Sequence, residues 1–228
     1  MEHVPCEMLL RKAFPFWDRL DAAQQDSLCR NTQFKTYRRG EHVHGGNGEC
    51  TGAILVKSGC LRAYLLSESG KEVTLYRLYE GDVCMLSASC VLQSITFDVF
   101  VDAAEDSECY ILNGRTFAQI SENNLYAENF ALNTAVSRFS DAMWAMQQIL
   151  FMSFDQRLAV FLWDESQKTG EALIRLTQEQ IAKYMGSARE VVSRMLKYFA
   201  AEGIAAPVRG GVQILDRDKL RRLALQQS

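Results

Sequence analysis

Several features that would mark a membrane, exported or disordered protein are missing from the sequence. It has three prolines in 228 residues and no low-complexity tract, which argues against a fibrous or disordered chain. No apolar run approaches the roughly 18 residues that a membrane helix needs. The first residues, MEHVPCEMLLRKAF, mix charged groups into a short apolar stretch and therefore do not form a secretion signal. We expect a globular, cytoplasmic protein without a membrane partner.

Disulfide motifs are missing as well. The seven cysteines form no CxxC pair, and they lie in the first half of the chain together with all three histidines. An odd number of cysteines without an export signal predicts free thiols in a reducing compartment.

A short histidine motif suggests the alternative function, a metal-dependent enzyme. His42, His44 and Glu49 resemble part of the metal motif of cupins, which share a jelly-roll fold. Such sites normally take a third histidine from a later strand, and no histidine follows His44. We therefore expect two loop histidines, no metal site and no catalytic residue.

Charge is distributed unevenly along the chain. Residues 173–222 contain ten Lys/Arg and five Asp/Glu, a net charge of +5, so the rest carries −8 within the overall −3. A basic module attached to an acidic body predicts a polyanionic partner, with a solvated basic face as the alternative.

Short apolar and β-branched runs separated by turn residues occupy residues 14–118. Glycines interrupt these runs, and Ser69-Gly70 between RAYLLS and EVTLYRL is a hairpin signal. This pattern predicts an antiparallel β jelly roll, with a helical segment from Phe14 to Thr32 before the strands. We assign residues 1–122 to this domain of an α+β protein.

A heptad pattern follows in residues 123–152. From Leu132 the apolar residues recur at steps of four and three, which is a coiled-coil seam. The seam residues are Leu132, Val136, Phe139, Met143, Met146 and Leu150. Asn129 takes a preceding seam position, where a polar residue can fix register. A helix lying on its own domain would also be amphipathic, but it usually buries a wider face. We therefore favour a dimer interface between two copies of this helix.

A helix–turn–helix pattern begins at Thr177. Thr177 caps a short helix, Gly186 makes the turn, and Ser187 or Ala188 starts a second helix. Two short strands around 209–211 then predict a wing, followed by a final helix.

At these residues the sequence resembles the CRP/FNR superfamily of bacterial transcription regulators. The most specific match is T-x-x-x-I-A-x-x-M-G-x-x-R-E-x-x-S-R-x-L from Thr177 to Leu196, with a weaker match at Gly81-Asp82. The resemblance implies a cyclic-nucleotide-binding-like sensor domain, a dimer helix, and a winged helix–turn–helix over residues 153–228, joined at Ser153. It implies an effector-responsive homodimer that recognises inverted-repeat operator DNA, with RNA polymerase as a further partner.

The resemblance places the second helix of the motif in the major groove. Its leading outward residues are Arg189, Glu190, Ser193 and Arg194. An Arg pairs bidentately with guanine, and a Glu accepts from cytosine N4. Candidates for phosphate contacts are Thr177, Gln178, Lys197 and Arg209. The alternatives are a surface ion pair between Glu190 and Arg194 and a solvated turn residue at position 209.

The sensor half departs from the cyclic-nucleotide-binding members of that family. Those members follow the Gly-Asp turn with a Gly-Glu pair and later with an Arg-Ser or Arg-Thr pair. This chain has Met85-Leu86 instead of the first pair and no later arginine before position 98. Because a buried phosphate needs a cationic or amide cradle, we expect no cyclic AMP binding. The N-terminus also lacks the clustered cysteines that an iron–sulfur cluster needs.

The effector pocket predicted from the sequence is largely apolar. It comprises Cys84, Met85, Leu86, Cys90, Thr96 and Asp98. Haem and other apolar molecules remain alternative effectors, and the sequence identifies no axial ligand for a haem iron. Cys84 and Cys90 could form a redox pair, contact haem, or serve as small buried hydrophobes.

Overall fold

The computed structural model describes residues 6–45, 50–88, 91 and 98–225. The chain divides into two units, Met1–Leu66 with Leu75–Ala142 and Ser67–Thr74 with Met143–Ser228. Each unit has its own apolar core. None of the helices in the described parts of the chain is long and apolar enough to cross a membrane.

Eight strands of the N-terminal half form two four-stranded sheets. The strands are β1 (Thr32–Tyr37), β2 (His42–His44), β3 (Ala53–Ser58), β4 (Leu61–Leu66), β5 (Glu72–Leu78), β6 (Val83–Cys84), β7 (Phe100–Ala103) and β8 (Ser107–Leu112). The sheet orders are β1-β8-β3-β6 and β2-β7-β4-β5. Pairs such as β1 with β8 and β4 with β7 run antiparallel. The predicted β domain and the hairpin that joins β4 to β5 are confirmed.

Short helices surround these strands in the sequence. They are α1 (Cys6–Ala13), a 3-10 turn (Trp17–Arg19), α2 (Ala22–Arg30) and α3 (Gly114–Asn123). The expectation that strand structure continues to residue 118 is wrong, because the side chain of Asn113 accepts a hydrogen bond from the Thr116 N–H and starts α3 there. Phe117 on α3 is fully buried in the core of the first unit.

The long helix α4 (Leu125–Phe151) occupies the segment in which the heptad pattern predicted a helix. Its two buried residues are Ala127 and Ala131, whose small side chains belong to the core of the first unit. The boundary between the two units falls within this helix, after Ala142.

The C-terminal part has the helices and strands expected of a winged helix–turn–helix. They are α5 (Phe154–Thr169), β9 (Leu173–Ile174), α6 (Gln178–Met185), α7 (Arg189–Ala201), β10 (Ala205–Val208), β11 (Gly211–Ile214) and α8 (Arg217–Leu225). The strands form one antiparallel sheet in the order β10-β11-β9. Ser153 precedes α5 as its N-cap residue, and Gly170 follows the helix in the left-handed conformation.

The prediction of free thiols is wrong at one cysteine. Cys50 is disulfide-bonded, whereas Cys6, Cys29, Cys60, Cys84 and Cys109 are free. Pairing depends on which cysteines the fold brings within bonding distance, and the spacing of cysteines along the sequence does not reveal this.

Asp216 holds the first turn of α8. Its Oδ1 accepts hydrogen bonds from the backbone N–H groups of Asp218 and Lys219, both at 2.9 Å. The bond from Lys219 is the main reason that the pKa of this carboxyl lies below its usual value. The ionised carboxylate is therefore bound more favourably in the folded state than in the unfolded state.

We expect Asp216→Ala to lower the melting temperature, with the largest loss near neutral pH. A lowered pKa gives stability that is present above the unfolded pKa and disappears as the pH falls through the folded value. The difference from the wild type should therefore shrink in acid, when melting is followed by circular dichroism. Asp218→Ala removes the same charge without these hydrogen bonds and serves as the control. An equal loss in both variants would contradict the assignment.

Candidate nucleic-acid interface and sensor pocket

A reciprocal cap begins the first helix of the helix–turn–helix. The Thr177 side chain accepts a hydrogen bond from the Gln180 N–H at 3.2 Å, and the Gln180 Oε1 accepts one from the Thr177 N–H at 2.9 Å. This capping box satisfies one N–H of the first turn of α6. The remaining N–H groups of that turn have no partner within the helix and can face a phosphate.

The turn after α6 is built on Gly186. This residue has a φ of +59°, which favours glycine. The Ser187 N–H donates to the carbonyl of Ala182 at 2.9 Å, and the Gly186 N–H donates to that of Lys183 at 3.3 Å. These two bonds form a Schellman motif that ends α6 and directs the chain into α7. The sequence prediction of Gly186 as the turn residue agrees with this geometry.

The recognition helix α7 has one buried face and one exposed face. Val192, Leu196 and Phe199 are fully buried in the core of the second unit. The predicted DNA-contacting residues lie away from that core: Arg189, Glu190, Arg194 and Lys197 are exposed, and Ser193 is half-buried. Because the apolar face of α7 packs in the core, the face with the predicted base-contacting residues lies toward solvent.

The alternative of a surface ion pair on α7 has no support in the geometry. Within the described residues, no hydrogen bond or ion pair joins Glu190 to Arg194, although they are four residues apart on a helix. Both charged groups are therefore available to an external partner.

Candidate phosphate contacts lie at two places in the second unit. Thr177 is exposed and Gln178 half-buried at the start of α6, while Arg209 is exposed in the turn between β10 and β11. The next residue, Gly210, has a φ of +85°. This turn is the wing that the sequence predicted.

Arg157 supports the helix–turn–helix, and the sequence reasoning missed it. From α5, its Nη2 donates to the carbonyl of Met185, the last residue of α6, at 3.4 Å. Its guanidinium also lies 5.4 Å from the centre of the Phe154 ring. Burial lowers the pKa of this guanidinium. No periodicity distinguishes a supporting arginine from the many surface arginines of the chain.

The predicted seam residues of α4 are exposed in the single chain. Leu132, Val136, Phe139, Met143, Met146 and Leu150 have exposed fractions between 40% and 66%. Large apolar side chains are seldom left open to water in a row along one helix, so this face is a candidate contact surface.

The predicted effector pocket is only partly within the described residues. Cys84, Met85 and Leu86 are buried in the core of the first unit, and Asp98 is exposed. Cys90 and Thr96 lie outside the described residues. The thiol of Cys84 lies near the buried hydroxyl of Tyr76, and burial is the main cause that raises the pKa of that hydroxyl.

A half-buried arginine cluster beside this core was missed by the sequence reasoning. Arg138 on α4 binds the Asp82 Oδ1 at 2.9 Å and the Asp141 Oδ2 at 3.0 Å. Its guanidinium lies 5.3 Å from the centre of the Tyr76 ring. Burial lowers the pKa of Arg138, but the bonds and charges of the two carboxylates outweigh burial and raise the pKa. Arg138 lies 56 residues from Asp82 in sequence, so spacing gave no signal for the pair.

The expectation that the two histidines of the cupin-like motif lie in a loop is wrong, because both lie on β2, which pairs with β7; they face different environments. His42 is exposed, with its Nδ1 2.6 Å from the Asp102 Oδ1. His44 is buried, with its Nδ1 2.7 Å from the Thr51 Oγ1. Glu49 lies outside the described residues, and the described residues contain no cluster of three potential metal ligands.

Comparison with known proteins agrees with this arrangement. A family model described as Cyclic nucleotide-binding domain matches residues 34–124, and one described as Crp-like helix-turn-helix domain matches residues 156–223. A solved transcriptional regulator of the CRP/FNR family from Eubacterium rectale is 40% identical, with a TM-score of 0.89 over 94% of this chain and 99% of that one.

Two further relatives are more distant. The Cyclic AMP receptor protein of Thermus thermophilus is 25% identical over 214 residues, 93% of this chain and 98% of its own length. The Transcriptional regulatory protein btr of Bordetella pertussis is 25% identical over 181 residues, 76% and 73% of the two chains.

A β-rich domain of the cyclic-nucleotide-binding type combined with a helix–turn–helix defines a DNA-binding transcription regulator. The long helix and the exposed face of α7 accord with that class. The chain belongs to the CRP/FNR family. The cupin-type enzyme is not supported by these findings.

We expect no specific binding of cyclic AMP at physiological concentrations. The guanidinium of Arg138 is already neutralised by two carboxylates, so a cyclic phosphate would have to displace one of them. Calorimetric titration of the purified protein checks this prediction. Micromolar affinity would show that the departures at Met85 and Leu86 have been misinterpreted.

Proposed function

We propose that the protein is an effector-responsive homodimer that binds inverted-repeat operators through α7. Dimerisation through α4 places two copies of α7 about a two-fold axis. Operators for such dimers have two half-sites about one helical turn apart. The family resemblance suggests a TGA core in each half-site.

The distribution of apolar residues on α4 carries this proposal. The helix buries two alanines on its own unit and leaves large residues such as Val136 and Phe139 open to water. An amphipathic helix that served only its own core would bury its large residues. The exposed seam therefore calls for a second copy of the same helix, with knobs-into-holes packing.

An effector would act by shifting the dimer between two states. A ligand that binds one arrangement of the α4 pair more tightly would change the spacing of the two α7 helices. One relative is named a Cyclic AMP receptor protein. We expect a different effector here, because the half-buried guanidinium of Arg138 is already paired with two carboxylates.

The remaining parts of the proposal follow from the DNA-binding role. Transcription control implies contact with RNA polymerase and no catalytic activity. The protein is expected in the compartment that holds the chromosome, the cytoplasm of a bacterial cell.

Phe139→Asp should convert the dimer to monomers and abolish operator binding. A carboxylate in the seam would be desolvated against its symmetry mate, and a single half-site contributes too little affinity. Analytical ultracentrifugation and a mobility-shift assay measure the two effects. Ser140→Asp adds the same charge to the neighbouring exposed residue, which lies outside the seam, and should leave the dimer intact. A monomeric wild-type protein, with or without DNA, would contradict the proposal.

Glu190→Ala and Arg194→Ala should each relax the preference for particular base pairs. Arg194 should bind guanine O6 and N7, and Glu190 should accept from a cytosine N4, so each loss should cost about 1–3 kcal/mol per half-site. Selection of binding sites from random DNA measures this preference. Retention of the wild-type preference in both variants would exclude these residues from base recognition.

Lys197→Ala serves as the matched control on the same helix. A phosphate contact does not distinguish between bases, so this variant should bind all DNA sequences more weakly. The slope of log affinity against log salt concentration should become shallower by about one per half-site. If the wild-type protein selects no palindromic site, the transcription-factor proposal itself is wrong.

A further inference from the structure

A cleft of about 590 Å³ lies in the first unit, between the segment before α2, the Gly81-Asp82 turn and α4. Its aromatic lining residues are Phe16, Tyr126 and Phe130. The volume falls in the range of small-molecule sites, which are mostly apolar with a few placed polar groups. The cleft differs from the pocket predicted at Cys84, Met85 and Leu86, because those three side chains are buried in the core.

One cation at the rim of the cleft is unpaired. Arg19 is exposed and lines the cleft, and no carboxylate within the described residues lies within ion-pair distance of it. Its guanidinium lies 5.2 Å from the centre of the Tyr126 ring. The other lining cation, Arg138, is neutralised by Asp82 and Asp141. The cleft therefore offers one uncompensated positive charge next to an aromatic ring.

The wall formed by α4 provides polar groups on neighbouring turns. The lining residues Asn129, Asn133, Thr134 and Ser137 carry amide and hydroxyl groups. None of these four side chains has a hydrogen bond to another residue in the part of the chain that the structure describes. They are free to donate to or accept from a bound molecule.

The charges of the cleft narrow the class of ligand. Asp82, the carboxylate that lines it, is already bonded to Arg138, so a metal ion or an organic cation has no free anionic partner among the described lining residues. A dianion or a polyphosphate would need more than one unpaired cation. One guanidinium with aromatic walls suits a single negative charge on a flat body.

We propose that this cleft binds a small aromatic monoanion, with its acidic group at Arg19 and its ring against Phe16, Tyr126 and Phe130. The regulatory consequence rests on the proposed function. Asn129 both lines the cleft and occupies a seam position of α4, so a bound molecule lies next to the surface through which the helix pairs.

The test compares two flat probes that differ in charge, 2-naphthoate and its neutral amide, 2-naphthamide. Calorimetric titration of the full-length dimer should show one naphthoate per chain, bound at least about tenfold more tightly than the amide, because a charge-assisted bond is lost in the amide. Arg19→Ala should weaken naphthoate about tenfold and leave the amide unchanged. Ser137→Trp should fill the cleft and weaken both probes.

Arg115→Ala is the matched control, because Arg115 is also exposed but lies on α3 outside the cleft. It should leave both affinities unchanged. Sedimentation of each variant verifies that the dimer is intact. Equal binding of the two probes, no binding of naphthoate, or an undiminished affinity in Arg19→Ala would overturn the proposal.

A parallel site-selection assay separates this inference from the proposed function. If naphthoate fails to bind but the protein still selects palindromic DNA, the cleft assignment alone is wrong. If no palindromic site is selected, the proposed function fails whatever the titration shows. Naphthoate that binds as expected and changes operator affinity supports both.

Discussion

The packing of α4 is the constraint on which the rest of the molecule depends. Its fully buried residues, Ala127 and Ala131, are small, Phe130 packs partly on the same core, and its outward seam consists of large apolar side chains. Burying those side chains against water is favourable, at about 25 cal/mol per Å² of apolar area, and the single chain does not do so. In the dimer that we propose, a second copy of the helix covers the seam, and both the operator symmetry and the proposed regulation follow from this.

Recognition of DNA depends on a second packing constraint. Val192, Leu196 and Phe199 fix the inner face of α7, and the Schellman turn at Gly186 sets the angle between α6 and α7. Because the buried face holds the helix in place, the polar residues on the outer face are not needed for packing and can contact an external partner. In the described structure Glu190 and Arg194 carry no bond to each other, which leaves both available for the base contacts that we propose.

A half-buried charge cluster in the first unit bears on the effector that we propose. Arg138 lies between Asp82 and Asp141, where it joins α4 to a turn of the β domain. Removing Arg138 would leave two partly shielded carboxylates without the cation that they share, which is unfavourable. This favours an effector that binds without breaking the cluster. In the binding mode that we propose, the acidic group of the ligand binds the unpaired Arg19 at the rim of the cleft and leaves the cluster intact.

Periodicity and turn chemistry in the sequence were enough to predict the β domain, the long helix and the winged helix–turn–helix, because these signals are local. The outward face of α7 also followed from local spacing. The sequence did not show that residues 114–118 begin a helix, that Cys50 is disulfide-bonded, or that Arg138 meets Asp82. Those facts depend on which distant segments come together. Only the tertiary structure decides that, because bonding between side chains depends on distance in space and the sequence records only distance along the chain.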